Sequence, residues 1–105
     1  MNERAFLSFL GLAARAGAVV SGFDACREAI FSGSAKLILM EADLSCGQKE
    51  KALRLCGEKQ VPAASCPPGM DAGGAIGKPG RKIMAITQTG FASKLRDLLN
   101  AGVAE

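Results

Sequence analysis

The stretch RAGAVVSGFDACREAIFSGSAKLILMEADLS, Arg15 to Ser45, decides the fold. It reads without a break as strand, glycine turn, short helix, glycine stop and buried strand. Val19 and Val20 close a short extended run. Ser21 with Asp24 three residues on has the form of a capping box, which places Gly22 in the first helical turn. The inward face of the helix is Ala25, Cys26, Ala29 and Ile30 at helical spacing, and Gly33 supplies the stop. Ala35 to Met40 follows as a continuous apolar strand. A helix that starts at an exposed glycine corner carries free backbone N–H groups and a partial positive charge, so this corner can receive a phosphate or a base edge.

Outward from this stretch, helix and strand alternate with short connections, the pattern of a layered α/β domain. The first helix is expected over about residues 2–16, with Phe6, Phe9, Leu10 and Ala13 on one face and Gly17 ending it. Ser45 with Gln48 forms a second capping box, opening a helix to about Gly57. Val61 to Ser65 is a strand weakened by Pro62 and two alanines. After Pro67, Pro68 and Gly69, Met70 to Ile76 is a short helix and Lys82 to Thr87 a strand. Thr89 to Ala101 closes the chain as a helix with Phe91, Leu95, Leu98 and Leu99 inward. With 105 residues, 49% of them hydrophobic, the chain can bury one core, so residues 1–105 are expected to form one domain.

This order of elements resembles the superfamily of kink-turn RNA-binding ribosomal proteins, and more closely its bacterial YlxQ-like branch of ribosome-associated proteins. The resemblance runs through nearly the whole chain. VPAASCPPGMDAGGAIG, Val61 to Gly77, fits the family's strand, RNA-facing loop and glycine-rich short helix, and Ile83 to Phe91 fits its last strand and helix start. The resemblance implies a three-layer α/β/α sandwich around a small mixed four-stranded sheet. It also implies binding of structured, kink-turn-like RNA at the 17–28 corner and the 65–70 loop. The candidate contacts are Ser21, Gly22, Phe23, Asp24, Ala25 and Glu28 at the corner, Lys36 at the strand entry, and Cys66, Pro67 and Pro68 in the loop. Cys66 is expected to be exposed there. Phe23, just inside the helix start, either stacks on a base or staples the helix to the core.

The family's Gly-x-Asn-Glu-x-x-Lys signature at the corner has decayed. Its positions fall on Gly22, Asp24, Ala25 and Glu28, so the Asn amide, the Glu carboxylate and the Lys ammonium are missing. Aspartate accepts but cannot donate, and Glu28 repels phosphate where lysine attracts it. The rival reading is a protein-interaction module on the same fold that has lost kink-turn binding. An RNA binder should carry a positive patch beside the glycine corner, and an adaptor an exposed apolar one.

Charge and cysteine usage narrow the classes further. The net charge of +3 is mild, but residues 61–105 carry five basic against three acidic side chains, so Lys78, Arg81, Lys82, Lys94 and Arg96 are candidates for a weak basic patch. Four cysteines without a Cys-x-x-Cys pair, and no histidine, argue against zinc and for reduced thiols in a cytoplasmic protein. No apolar run reaches the roughly 18 residues of a membrane span, and the N-terminus lacks a signal peptide's layout. Neither a cofactor nor a small-molecule substrate is expected. The expected partners are structured, ribosomal RNA and ribosomal proteins.

Two short motifs compete and fail. Ile76 to Ile83, IGKPGRKI, matches the I-G-x-x-G-x-x-I core of a KH domain, but a strand-like run follows where a helix is required. GGAIGK, Gly73 to Lys78, lacks the first P-loop glycine and has Pro79 in place of the magnesium-binding hydroxyl. Catalysis has no histidine base, and Glu41 and Asp43 read as caps that solvate a strand end.

Overall fold

Two runs, Leu37–Met40 and Ile83–Ile86, are buried at every position, because each lies inside a sheet covered on both faces. The structure, a computed structural model, describes residues 3–103. Its elements are α1 (Glu3–Arg15), β1 (Val19–Ser21), α2 (Phe23–Ser32), β2 (Leu37–Met40), α3 (Cys46–Lys59), β3 (Ala63–Ser65), α4 (Ala72–Ala75), β4 (Ile83–Ile86) and α5 (Thr89–Val103). The strands lie in the order β1-β4-β2-β3. β4 runs antiparallel to both β1 and β2, pairing Ser21 with Met84 and Met40 with Ile83, while β2 and β3 are parallel.

Side-chain alternation along the two central strands divides the core. Leu37, Leu39, Met84 and Ile86 face Phe6 and Leu10 of α1, Ala72 of α4, and Leu95 and Leu99 of α5. Ile38, Met40, Ile83 and Ala85 face Cys26, Ala29 and Ile30 of α2 and Ala52 and Cys56 of α3. The architecture is the expected α/β/α sandwich on a mixed four-stranded sheet. Each fully buried large apolar side chain contributes on the order of 1.5–3 kcal/mol.

Local chemistry sets the element ends, and several differ from the sequence reading. Gly17 and Gly33 take positive φ, 77° and 81°, and end α1 and α2 as expected. α3 runs past Gly57 and stops where Gln60 adopts the left-handed conformation, φ 58°. Its start is as read, with Ser45 Oγ accepting from the Gln48 N–H at 3.3 Å. α4 is shorter than expected because Asp71 caps it, accepting from the Gly74 N–H at 2.9 Å, while Met70 is drawn into the core.

The Ser21–Asp24 capping box does not form. Ser21 belongs to β1, and the Gly22 N–H donates to the Ile83 carbonyl at 3.0 Å, so strand pairing holds the segment one residue past the strand. Gly22 is the N-cap itself, at φ 95° and ψ 150°, with no side-chain cap hydrogen bond. Among the described residues, no helix is long and apolar enough to cross a membrane, and no group of three or more His, Cys, Asp or Glu could hold a metal ion.

Candidate nucleic-acid interface

The strand directions bring four connections to one edge of the sheet. β1, β2 and β3 all end there, and β4, antiparallel to its neighbours, begins there. Across that edge lie, in order, the Gly22 corner, Arg81 and Lys82, the Glu41–Leu44 turn, and the loop through Pro67 and Pro68. The two segments that the sequence offered as RNA-facing are thus on the same edge, with the start of β4 and the end of β2 between them.

Gly22 and Arg81 form the most specific contact on this edge. The Arg81 Nη1 donates to the Ser21 carbonyl at 3.3 Å, across 60 residues of sequence. A Cβ built on Gly22 would collide with that same Nη1, and a φ of 95° already disfavours any side chain there. The glycine lets a guanidinium lie over the start of α2. Arg81 itself is exposed. Beyond the Ser21 carbonyl, a guanidinium has four further N–H donors and a full positive charge to offer.

The other half of the edge is acidic. A cleft of about 570 Å³ is lined by Glu41, Asp43, Asp71, Pro68, Met70 and Lys82, among others. Glu41 was expected to solvate the strand end, but it is 7% exposed and its Oε2 accepts from the Gly73 N–H at 3.0 Å. It ties the end of β2 to the first turn of α4 by accepting from an N–H that has no acceptor one turn back in its own helix. Asp43 pairs with Lys82 at 2.7 Å in the open. The hydrogen bond from the Lys82 ammonium holds the Asp43 carboxyl below the usual carboxylate range, and the same bond raises the Lys82 ammonium above its ordinary value.

The remaining sequence candidates divide. Pro67 and Pro68 are exposed beside the cleft. Cys66 is not exposed: its N–H donates to the Met40 carbonyl at 2.8 Å, so the β3 ladder continues one residue and alternation turns the side chain into the core at 2% exposure. Burial pushes its thiol up to about 11, and the Glu41 charge adds to the shift. Phe23 is half-buried against the second core, as a staple would be. Asp24 and Glu28 are exposed on α2, and Ala25 is half-buried. Lys36 enters β2 at the opposite edge, where its Nζ donates to the Gly33 carbonyl at 3.3 Å. Of the basic-patch candidates, Arg81 and Lys82 lie on the site edge, Lys78 opens the turn in which its carbonyl accepts from the Arg81 N–H at 3.1 Å, and Lys94 and Arg96 lie on α5. Sequence reasoning placed Arg81 in a diffuse patch and missed its partnership with Gly22. That partnership depends on β1 pairing with β4, for which no local pattern gives a signal.

A mixed sheet sandwiched by helices, with a glycine-initiated helix beside converging loops at one edge, defines a class of small α/β/α proteins. Comparison with known proteins places the chain within that class. Residues 4–96 match the Ribosomal protein L7Ae/L30e/S12e/Gadd45 family, and the chain belongs to it. It is 37% identical over 100 residues to the RNA-binding protein YlxQ of Bacillus subtilis (strain 168), covering 95% of this chain and 100% of the relative. The Enterococcus faecium protein of the same name is 30% identical over 98 residues, covering 93% and 94%. Among solved structures, a Bacillus halodurans protein of unknown function superposes with a TM-score of 0.85 at 34% identity, covering 90% of this chain and 96% of that one. The Giardia lamblia 15.5kD RNA binding protein shares the fold, with a TM-score of 0.73 at 19% identity over 96% and 90% of the two chains. The chain is a YlxQ-like member of the family.

Proposed function

We propose that this protein binds structured RNA of the kink-turn kind, in association with the ribosome, through the edge formed by the Gly22 corner, Arg81 and the 65–70 loop. Two relatives that bear the name RNA-binding protein over nearly their full length support this reading. The observation that carries it is the placement of Arg81 over the open start of α2. A guanidinium there supplies the positive charge that Glu28 cannot, and it binds phosphate bidentately where a lysine offers a point charge. In this arrangement the RNA backbone lies along Gly22, Arg81 and Lys78. Asp43 and Asp71, exposed in the cleft, accept from exocyclic amino groups of unstacked bases. Residues 1–105 act as one cytoplasmic domain, and no reaction is assigned to it. The positive side chain beside the corner favours RNA over an adaptor role for this edge.

The test is a titration of the reduced protein with a kink-turn RNA, with the same RNA after its tandem G·A pairs are made Watson–Crick, and with ribosomal RNA, each at two salt concentrations. Tight, salt-sensitive binding only to the intact kink is the expected result. Replacing Arg81 with Ala should weaken it by roughly tenfold and lower the salt slope by about one. Binding to ribosomal RNA alone would retire the kink-turn, and salt-insensitive or absent binding to all three would end the RNA reading.

A further inference from the structure

We propose that the outer seam between α2 and α3 is a second docking surface, fitted to an acidic amphipathic segment of a protein partner. The inference does not depend on the RNA reading, because it concerns a different face of the molecule. α2 leaves the site edge at Gly22 and runs to Gly33 at the opposite edge, and the seam follows its flank.

Phe31 is the centre of this surface. It is 53% exposed, more than any other large hydrophobic residue among those described. A groove lies on each side of it. One, of about 330 Å³, is lined by Phe23, Arg27, Phe31, Lys51, Arg54 and Leu55. The other, of about 380 Å³, has Phe31, Val61 and Pro62 as apolar walls and Lys36 and Lys59 as its charged groups. The two linings together hold five cations and no carboxylate. The acidic residues of these helices, Asp24, Glu28, Glu50 and Glu58, all lie outside the linings. An apolar floor with a rim of one sign is complementary to a segment that carries apolar anchors between carboxylates. Both grooves are at the small end of the range for ligand sites, roughly 300–1,000 Å³, which suits single side chains rather than a cofactor.

The geometry favours a peptide over a nucleic acid on this face. A base-stacking platform needs a free aromatic face beside a cationic track. Here the Lys59 ammonium already lies over the Phe31 ring, 5.6 Å from its centroid. Ser32, Gln60 and the cations surround walls of Phe23, Phe31, Leu55, Val61 and Pro62, and Leu, Met or Phe side chains would bury against those walls. The Lys59 ammonium would keep its place over the ring and meet a carboxylate of the incoming segment there.

The experiment is selection of a random 16-residue displayed peptide library on the full-length protein, with Phe31→Ser as the counter-selected form. Peptides rich in Asp and Glu, with paired aromatic or aliphatic residues three or four apart, are the expected winners. Their binding should fall at least tenfold in Phe31→Ser and in Arg54→Glu, and should be unchanged in Arg81→Ala. Phe31 is half in solvent, so circular dichroism melts of both variants should match the parent, and the Arg54→Glu arm stands if Phe31→Ser melts early. The absence of Phe31-dependent binders, or binders without acidic character, would overturn the proposal. So would loss, in Phe31→Ser, of binding to a 12-nucleotide single-stranded RNA, which would make the seam a nucleic-acid surface.

Discussion

Helices α2 and α3 open with the same local pattern, a serine ahead of the first turn with a polar residue three positions on, yet the two starts are built differently. At α3 the serine caps its own helix, Ser45 Oγ accepting from the Gln48 N–H. At α2 the serine is taken by the sheet, a glycine with positive φ stands at the N-cap, and no side chain caps the helix. A distant arginine covers the corner instead. One helix start is capped from within its own four residues. The other is held open by tertiary structure, and it is the corner through which we propose that RNA is bound.

Mutations at the two starts should therefore separate stability from binding. Gly22→Ala is expected to have the largest effect, because at a φ of 95° it strains the backbone by about 1–3 kcal/mol, and its methyl group also pushes the flexible Arg81 guanidinium off the corner. Chemical denaturation should show the loss, and RNA affinity per folded molecule should fall as well. If the Gly22→Ala, Arg81→Ala double variant is as stable as Gly22→Ala alone, the contact contributes no part of the strain. Next comes Glu41→Ala, which leaves the Gly73 N–H buried without its acceptor and should lower unfolding free energy by about 1–3 kcal/mol. Its effect on binding, read by the same titration, would reveal whether α4 positions the loop. Ser45→Ala should cost about 1 kcal/mol and leave RNA binding untouched, so any loss of affinity would break the contrast.

The smallest effect belongs to the exposed Lys82–Asp43 pair, since surface ion pairs contribute little. Its direction is fixed by the depressed Asp43 carboxyl. The contribution is present above the unfolded value, near 3.8, and is lost as pH falls through the lower folded value. Carboxyl chemical shifts followed down the acid range should give Asp43 a midpoint below that of the Lys82→Ala variant.

Periodicity and turn chemistry made a layered α/β domain legible, and the family resemblance supplied the sandwich. The runs Ala35–Met40 and Lys82–Thr87 read as strands and became Leu37–Met40 and Ile83–Ile86, and glycines marked the exits of α1 and α2. The candidate site was legible only where it is local. Gly22, Pro67 and Pro68 stand in the turns where the sequence put them, because turns are written in adjacent residues. Cys66 was misjudged because one more ladder hydrogen bond, invisible in a Ser-Cys-Pro run, reverses which way its side chain points. Glu41 was misjudged for a similar reason. Its partner is the Gly73 backbone, 32 residues on, and a backbone N–H leaves no mark on a sequence. Arg81 could not be assigned to Gly22 before it was known that β4 sits between β1 and β2.

The position of β4 also sets the order in which the chain can be finished. Both of its neighbours, β1 and β2, precede it in sequence, and β1 has no other partner in the sheet. As the chain leaves a ribosome, α1 and β1 emerge first and must wait for more than sixty residues of synthesis before Ile83–Ile86 gives them a place. The corner at Gly22 is thus among the earliest parts made and the last assembled. A chain stopped short of β4 would lack the edge that Gly22 and Arg81 build together.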